Sequence, residues 1–160
     1  NPDIAMGPLI SKEQLERVSA MVARASDVGA EITTGGKIIE AAGFFYEPTV
    51  VANPAQDSEL VQREVFGPVI SIQKFSEESQ AIEWANGVDY GLSASVWTTN
   101  VGTAMRMTKA LHFGCVWVND HIPIISEMPH GGFKQSGYGK DMSIYALEHY
   151  TELKHVMIRH

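Results

Sequence analysis

The string Glu64-Val-Phe-Gly-Pro68 places a carboxylate and an aromatic ring two residues apart, just ahead of a β-type run. Gly67 and Pro68 constrain the backbone there to a presented edge rather than a helix face. A carboxylate in such a place can accept hydrogen bonds from both vicinal hydroxyls of a ribose. A ring beside it can cover one face of a flat heterocycle. The same string also suits a solvated Glu next to a core Phe, and composition alone favours that plainer arrangement. The single cysteine, Cys115, excludes an internal disulfide framework and a Cys-based zinc site. It sits in the apolar run Cys115-Val-Trp-Val-Asn119, where a thiol behaves as a small hydrophobe. His149, His155 and His160 do not fall at metal-ligand spacing, so no metal is expected. Met105 and Met107 read as helix packing and surface, Trp117 as core, and Trp84 as partly exposed on an acidic helix.

The elements that must position these residues are set by periodicity and punctuation. Residues 1–10 form an extended lead-in broken by Pro and Gly. Ser11 with Gln14 makes a capping-box pattern, and Leu15, Val18, Val22 and Ala25 then recur at helical spacing until Gly29. A short strand over 31–34 meets the Gly35-Gly36 turn, and a longer one is expected from Phe44 to Val51. Asp57 and Ser58 cap a short helix to about Gln62. Next come a strand over Pro68–Phe75, a helix capped by Ser76 and ended by Asn86-Gly87, and a strand over Leu92–Thr98. A helix capped by Asn100 and a strand over Cys115–Asn119 complete the series. This alternation predicts an α/β fold with a parallel sheet flanked by helices. Ligands in such sheets sit at the carboxyl ends of strands, which points to Asn119, Asp120 and the loop beyond them. Residues 120–141 form that long Gly-, Pro- and Ser-rich loop, of the length that is usually functional or disordered. Ser143–Tyr150 reads as a helix, and Thr151–His160 as an isolated strand of the kind that pairs with another domain or subunit.

Composition sets the outer bounds. The chain has 160 residues, 44% of them apolar, with 12 basic and 19 acidic side chains, so the net charge is −7. A buried core is within reach at this size. Residues 1–80 hold 6 basic and 12 acidic side chains, and all six histidines lie in the second half. No basic stripe is present, so a nucleic-acid partner is not expected, and an anionic membrane would repel the first half. No apolar run approaches the ~20 residues that span a bilayer. The lone cysteine and the lack of a targeting pattern suggest a reducing, cytoplasmic setting. The chain starts at Asn1, in a loop-like stretch and without an initiator Met, which reads as a piece of a longer protein.

Four strings occur in a telling order: Glu64-Val-Phe-Gly-Pro68; Ala85-Asn86 followed by Tyr90-Gly-Leu-Ser-Ala94; Gly114 with Val116-Trp-Val-Asn119; and Pro129-His-Gly-Gly-Phe-Lys-Gln-Ser-Gly137. Along its whole length the chain resembles the C-terminal part of the NAD(P)-dependent aldehyde dehydrogenase superfamily. Ser126-Glu-Met-Pro-His-Gly-Gly132 and Gly137-Tyr-Gly-Lys-Asp141 resemble the aminobutyraldehyde dehydrogenases, relatives of the betaine aldehyde dehydrogenases. The resemblance implies that residues 1–150 are the later half of a catalytic domain and that 151–160 are an oligomerisation strand. The NAD-binding domain would be absent from this chain. Glu64 would hold the nicotinamide ribose and Phe66 would pack near the nicotinamide ring. Asn119, Ile122, Glu127 and His130 would line the aldehyde tunnel; His130 stands where many relatives carry an aromatic residue, and Glu127 could attract a cationic amino group. The backbone carbonyls of Lys134 and Gly137 match a potassium site of some betaine aldehyde dehydrogenases. Thr151–Ile158 would extend a partner's sheet, giving dimers and then tetramers.

The family's chemistry uses a cysteine thiolate that attacks the aldehyde, hydride transfer to the nicotinamide, and a glutamate that activates water to hydrolyse the thioester. By resemblance, the nucleophile and that glutamate lie upstream of Asn1, and Cys115 does not replace the nucleophile. The 160 residues alone are therefore expected to be inert and to expose apolar surface. The implied reaction is oxidation of 4-aminobutanal or a similar amino aldehyde with NAD, with NADP left open. The alternatives are another aldehyde specificity, betaine aldehyde or an aliphatic aldehyde, and a non-catalytic assembly or binding module.

Overall fold

The computed structural model describes residues 6–160. The expected extended lead-in over 1–10 falls partly outside them. Two compact units divide the chain, one running to Ser76 and the other spanning Glu77–His160.

In the first unit, helix α1 (Lys12–Asp27) begins where the sequence places it. The Ser11 side chain accepts the Gln14 backbone N–H at 3.2 Å, which satisfies one of the helix's orphan donors. Leu15, Val18, Met21, Val22 and Ala25 recur on one face and are buried. Strands β1 (Glu31–Thr34), β2 (Ile38–Ile39), β3 (Phe45–Tyr46) and β4 (Thr49–Ala52) come next, then helix α2 (Glu59–Gln62) and strand β5 (Val69–Ile72). β4 is the centre of a three-stranded sheet, antiparallel to β1 and parallel to β5, with Thr49 opposite Val69 and Ala52 opposite Ile72. β2 and β3 form a separate antiparallel pair. Tyr46, Val51, Leu60 and Val65 close the core against α1. Each such apolar side chain contributes about 1.5–3 kcal/mol by leaving water.

The single strand expected over Phe44–Val51 is two strands. Glu47-Pro48 interrupts it, because proline lacks the N–H that a ladder needs. Ser58 stands at the α2 N-cap, but its side chain makes no capping bond. Gly35 lies so close to the Pro48 carbonyl oxygen that a β-carbon would overlap it, and its φ of +70° suits glycine.

The second unit contains helix α3 (Glu78–Asn86), strands β6 (Tyr90–Gly91) and β7 (Ser93–Val96), helix α4 (Val101–Ala110), strand β8 (Cys115–Val118), strand β9 (Phe133–Lys134) and helix α5 (Ser143–Tyr150). The α3 N-cap position is Glu77 rather than Ser76. α4 is capped as expected, with Asn100 Oδ1 accepting the Thr103 N–H at 3.0 Å. β7 and β8, joined through α4, run parallel, Ser93 opposite Cys115 and Val96 opposite Val118. The long loop is not structureless: β9 pairs antiparallel with β6, and His130 bridges Asp141.

One expectation is corrected. All five members of the β-α-β-α-β run exist, β5 in the first unit and the other four in the second. β5 pairs with β4 and β7 pairs with β8, so the fold is a mixed α/β arrangement of small sheets. Hydropathy sets which face of a strand is buried; it does not say which edge finds a partner. Residues 151–160 pair with no strand among the described residues and are exposed throughout. The second unit also buries little: Val96 and Leu111 are its buried large apolar side chains, while Ile124, Ile125, Ile144 and Leu147 are exposed.

Glycines hold the second unit tight. A β-carbon on Gly114 would overlap the Gly131 carbonyl oxygen, and one on Gly91 would sit 2.8 Å from the His112 carbonyl oxygen. The Gly114 N–H donates to the Gly91 carbonyl at 3.0 Å, and the Gly91 N–H donates to Ser136 Oγ at 3.0 Å. Both obstructing atoms at Gly114 and Gly91 are backbone, which cannot rotate away. Gly114→Ala is therefore expected to destabilise the full-length protein by about 3 kcal/mol, read as a lowered denaturation midpoint; a wild-type midpoint would contradict the packing.

Surface ion pairs carry less. Arg24 grips Glu59 with two bonds of 2.8 and 2.9 Å. That hydrogen bond, then the guanidinium charge, holds the Glu59 carboxyl below its ordinary range. A carboxylate with a depressed folded pKa lends its stability above the unfolded value and loses it as pH falls through the folded one. Because both side chains are largely exposed, Arg24→Ala should lower the denaturation midpoint only slightly at pH 7 and less still at pH 3, where Glu59 is protonated in both proteins; an equal or larger loss at pH 3 would contradict the pairing.

Candidate functional site

The Glu64–Phe66 turn lies in the crossover from β4 to β5, at the amino end of β5. Glu64 is exposed, and Phe66 is 70% exposed. Phe66 adopts φ +55°, the left-handed region, which costs a residue with a β-carbon of order 1–2 kcal/mol. Between the two side chains, Val65 points into the core. This alternation presents the carboxylate and the ring to solvent while the residue between them fixes the turn.

The carbonyls of all three residues are held by α1. Gln14 Nε2 donates to the Val65 carbonyl at 3.1 Å and to the Phe66 carbonyl at 2.9 Å. Arg17 Nη1 donates to the Val65 carbonyl at 2.8 Å, and Nη2 to the Glu64 carbonyl at 2.7 Å. The capping-box pattern is thus only half fulfilled: Ser11 caps, but the Gln14 side chain reaches across to the turn. Gly67 then lies against α1, where a β-carbon would sit 2.6 Å from Val18 Cγ2. Sequence reasoning missed Gln14 and Arg17 as partners of this turn. Their spacing of three on one helix face was the available signal, but a contact some fifty residues away has no local signature.

Two concavities flank Phe66. One, about 330 Å³, is lined by residues including Arg63, Glu64, Phe66 and Ser71. The other, about 440 Å³, is bounded by Pro8, Leu9, Ile10, Gln14, Phe66 and Gly67. An exposed carboxylate and an exposed ring on one rigid turn, beside a cleft of small-molecule size, fit a ribose diol and the flat ring attached to it.

The other candidate residues belong to the second unit. Asn119, φ +54°, ends β8. Its amide is fully engaged: Oδ1 accepts the Thr98 N–H at 2.8 Å and Nδ2 donates to the Thr98 carbonyl at 2.9 Å. Asn119 therefore ties the ends of β7 and β8 together with both of its polar atoms. Beyond it, Ser95 Oγ and His121 Nδ1 are 2.8 Å apart, the Trp117 ring meets the His121 ring edge-on, and Trp117 Nε1 donates to the Pro123 carbonyl at 3.0 Å. Trp117 is half-buried rather than core. Ile122, φ +70°, and Glu127 are exposed. His130 is half-buried and its backbone exchanges bonds of 2.9 and 2.7 Å with Asp141.

Lys134 and Gly137 serve a turn. The Gly137 N–H donates to the Lys134 carbonyl at 3.4 Å, while Lys134 Nζ donates to the Asn86 and Val88 carbonyls at 2.7 and 2.8 Å. Asn86, which the sequence marks as a helix end, is also a junction: its side chain bonds the Ala110 carbonyl and the His112 N–H. Lys140 Nζ donates to the Gly131 carbonyl at 2.9 Å and lies 4.7 Å from the centre of the Phe133 ring. No group of three or more His, Cys, Asp or Glu is arranged for a metal among the described residues, and no described helix is long and apolar enough to cross a membrane. Burial raises the Cys115 thiol pKa, which disfavours the thiolate.

The Asn119 tie has a direct readout. Asn119→Ala removes both bonds to Thr98, each worth about 1 kcal/mol, so exchange of the Thr98 amide hydrogen should speed about ten-fold; an unchanged rate would contradict the tie.

The profile of the aldehyde dehydrogenase family matches residues 1–156. Betaine aldehyde dehydrogenase of Bacillus subtilis is 44% identical over 154 residues, covering 94% of this chain and 31% of that protein. Aldehyde dehydrogenase of Emericella nidulans is 43% identical over 157 residues, 98% of this chain and 32% of its own length. Among solved structures, the NAD+ complex of aldehyde dehydrogenase from Bacillus cereus superposes with a TM-score of 0.91 at 39% identity, over 96% of this chain and 31% of that one. Betaine aldehyde dehydrogenase from Staphylococcus aureus in complex with NAD+ gives 0.89 at 39% identity, over 94% and 30%. The chain spans about a third of the length of these relatives. With a matching profile across nearly all its residues and this fold, the chain belongs to the aldehyde dehydrogenase family.

Proposed function

We propose that this chain forms part of an NAD-linked aldehyde dehydrogenase and contributes the edge that holds the nicotinamide end of the cofactor. The carrying observation is the Glu64–Phe66 turn: an exposed carboxylate and an exposed ring on a backbone fixed by four side-chain hydrogen bonds. Glu64 binds through its carboxylate, accepting from the vicinal ribose hydroxyls. Phe66 covers the ring attached to that ribose and keeps water from one of its faces. NAD held there would supply the hydride acceptor for oxidation at the aldehyde carbon. The nucleophile and the water-activating carboxylate come from residues of the full-length protein outside these 160, since Cys115 lies in β8 with its thiol form favoured by burial. Thr151–Ile158 serves as the strand that pairs with a second subunit.

For the aldehyde, the relatives favour betaine aldehyde or a general aldehyde over 4-aminobutanal: the names carried by similar proteins are betaine aldehyde dehydrogenase and aldehyde dehydrogenase. Glu127 suits either cationic substrate, because a carboxylate attracts a quaternary and a primary ammonium group alike. Being exposed, it contributes little beyond orientation. Ile122, with a left-handed backbone and an exposed side chain, and His130 complete the aldehyde entrance.

The test is NADH formation at 340 nm by the full-length protein with betaine aldehyde, 4-aminobutanal and hexanal. Glu64→Gln keeps the size of the side chain and removes its charge. Loss of a charged hydrogen-bond acceptor, about 1.5–3 kcal/mol, should raise the KM for NAD ten-fold or more and leave the KM for aldehyde within two-fold. An unchanged KM for NAD would sink the assignment of Glu64, and no NADH with any aldehyde would sink the activity.

A further inference from the structure

We infer that Ser95, Trp117 and His121 form a latch of positioning residues: from β7 and the end of β8 they hold the backbone on both sides of Ile122 and so fix where that side chain stands. The inference rests on the assignment of Ile122 to the aldehyde entrance.

Ile122 has a backbone that its own type and its neighbour both disfavour. Its φ is +70°, in the left-handed region, where a β-branched residue is an outlier because the side chain crowds the following carbonyl. Pro123 comes next, and the residue before a proline is pushed toward extended backbone with negative φ. Residues 119–123 belong to no helix or strand, so no ladder holds the torsion. Ile122 is 60% exposed, so core packing does not offset it either. Backbone in a sparsely populated region persists where the surroundings over-determine it, and such residues cluster at working sites.

The restraints lie on the residues either side. Ahead of Ile122, His121 Nδ1 is 2.8 Å from Ser95 Oγ, and the His121 backbone N–H donates to Asp120 Oδ1 at 2.8 Å. The His121 ring also meets the Trp117 ring edge-on, with centroids 5.6 Å apart. Behind Ile122, the Pro123 carbonyl accepts from Trp117 Nε1 at 3.0 Å. Trp117 therefore grips both flanks, one through its ring and the other through its N–H. Ser95 and Trp117 stand opposite one another in the β7–β8 register, so their side chains leave the sheet on one face. The two Asn119–Thr98 bonds tie the strand ends beneath them, which makes that support rigid. A serine hydroxyl both donates and accepts, so the Ser95 bond forms with either tautomer of the imidazole. Released from this latch, Ile122 returns to extended backbone and its side chain leaves the place where the entrance needs it.

The experiment uses full-length Ser95→Ala, His121→Phe, His121→Asn and His121→Gln, with Ile122→Ala as the reference. The aldehyde is whichever of betaine aldehyde, 4-aminobutanal and hexanal is turned over fastest. His121→Phe keeps a ring beside Trp117 and removes the bond to Ser95. Asn places an amide atom where Nδ1 stands, whereas Gln places one nearer Nε2. Ser95→Ala and His121→Phe should each raise the KM for aldehyde about five-fold, with kcat and the KM for NAD within two-fold. A role in folding alone would lower the active fraction and leave the KM for aldehyde unmoved. His121→Asn should stay within two-fold of wild type, and His121→Gln should lose as much as His121→Phe. Rescue by Gln and not by Asn would overturn the latch, because Nε2 rather than Nδ1 would then do the work. Ser95→Ala combined with His121→Phe should be within two-fold of the worse single variant. A multiplied loss of about 25-fold would overturn the proposal by showing that the two residues meet the aldehyde separately. Ser95→Ala should also speed exchange of the Ile122 amide hydrogen about five-fold, measured on folded protein, and an unchanged rate would contradict the latch. Where His121→Phe expresses poorly, Ser95→Ala carries the same test, since it breaks the same bond and leaves both rings in place. If Ile122→Ala raises the KM for aldehyde and neither Ser95→Ala nor His121→Phe does, the latch is wrong while the entrance stands. If Ile122→Ala has no effect, both fall together.

Discussion

The contact of Gly67 with Val18 governs the first unit. Val18 is wholly buried, and the missing β-carbon at position 67 lets the turn approach α1 closely enough for the Gln14 and Arg17 side chains to reach its carbonyls. The core that fixes α1 therefore also fixes the turn. Packing energy from Leu15, Met21, Val22, Tyr46 and Val51 is converted into the direction of an exposed carboxylate and ring. A site built this way needs few buried polar groups of its own. Its precision comes from the helix behind it.

The second unit solves its problem differently. With few apolar side chains buried, it relies on close backbone approach and polar ties. Gly91, Gly114, Gly131 and Gly132 let chain segments meet at distances that a side chain would forbid. Lys134 and Lys140 then neutralise carbonyls left over at the junctions, and Asn86 and Asn119 tie helix and strand ends with both polar atoms of their amides. α5 and residues 122–128 carry exposed apolar side chains, among them Ile124, Ile125, Ile144 and Leu147.

Local chemistry is legible in the sequence wherever it acts over a few residues. Ser11 and Asn100 cap the helices that their types and positions predict, and the helices over 12–27, 101–110 and 143–150 begin where their signals place them, although the second stops at Ala110, short of Gly114. Pairing is not legible. The hydropathy of residues 69–72 and 93–96 is equally strand-like, yet one joins β4 and the other β8. The tail from 151 carries a strand-like pattern and meets no strand among the described residues. The turn at Glu64 is visible because carboxylate, ring, Gly and Pro are adjacent. Its clamp is invisible, because Gln14 looks like a capping residue and Arg17 like a solvated charge until the chain folds back on them. Asn119 reads in the sequence as a boundary of the substrate path, and the structure shows both of its amide atoms bonded to Thr98.

The central claim is that the turn carried by α1 meets the nicotinamide end of the cofactor. Hydrogen–deuterium exchange on the full-length protein, with and without saturating NAD, tests it directly. The account predicts that NAD slows exchange of the amides at 64–67 and in the first turns of α1. Saturating NAD that protects other parts of the protein and leaves residues 64–67 exchanging at the same rate would contradict it.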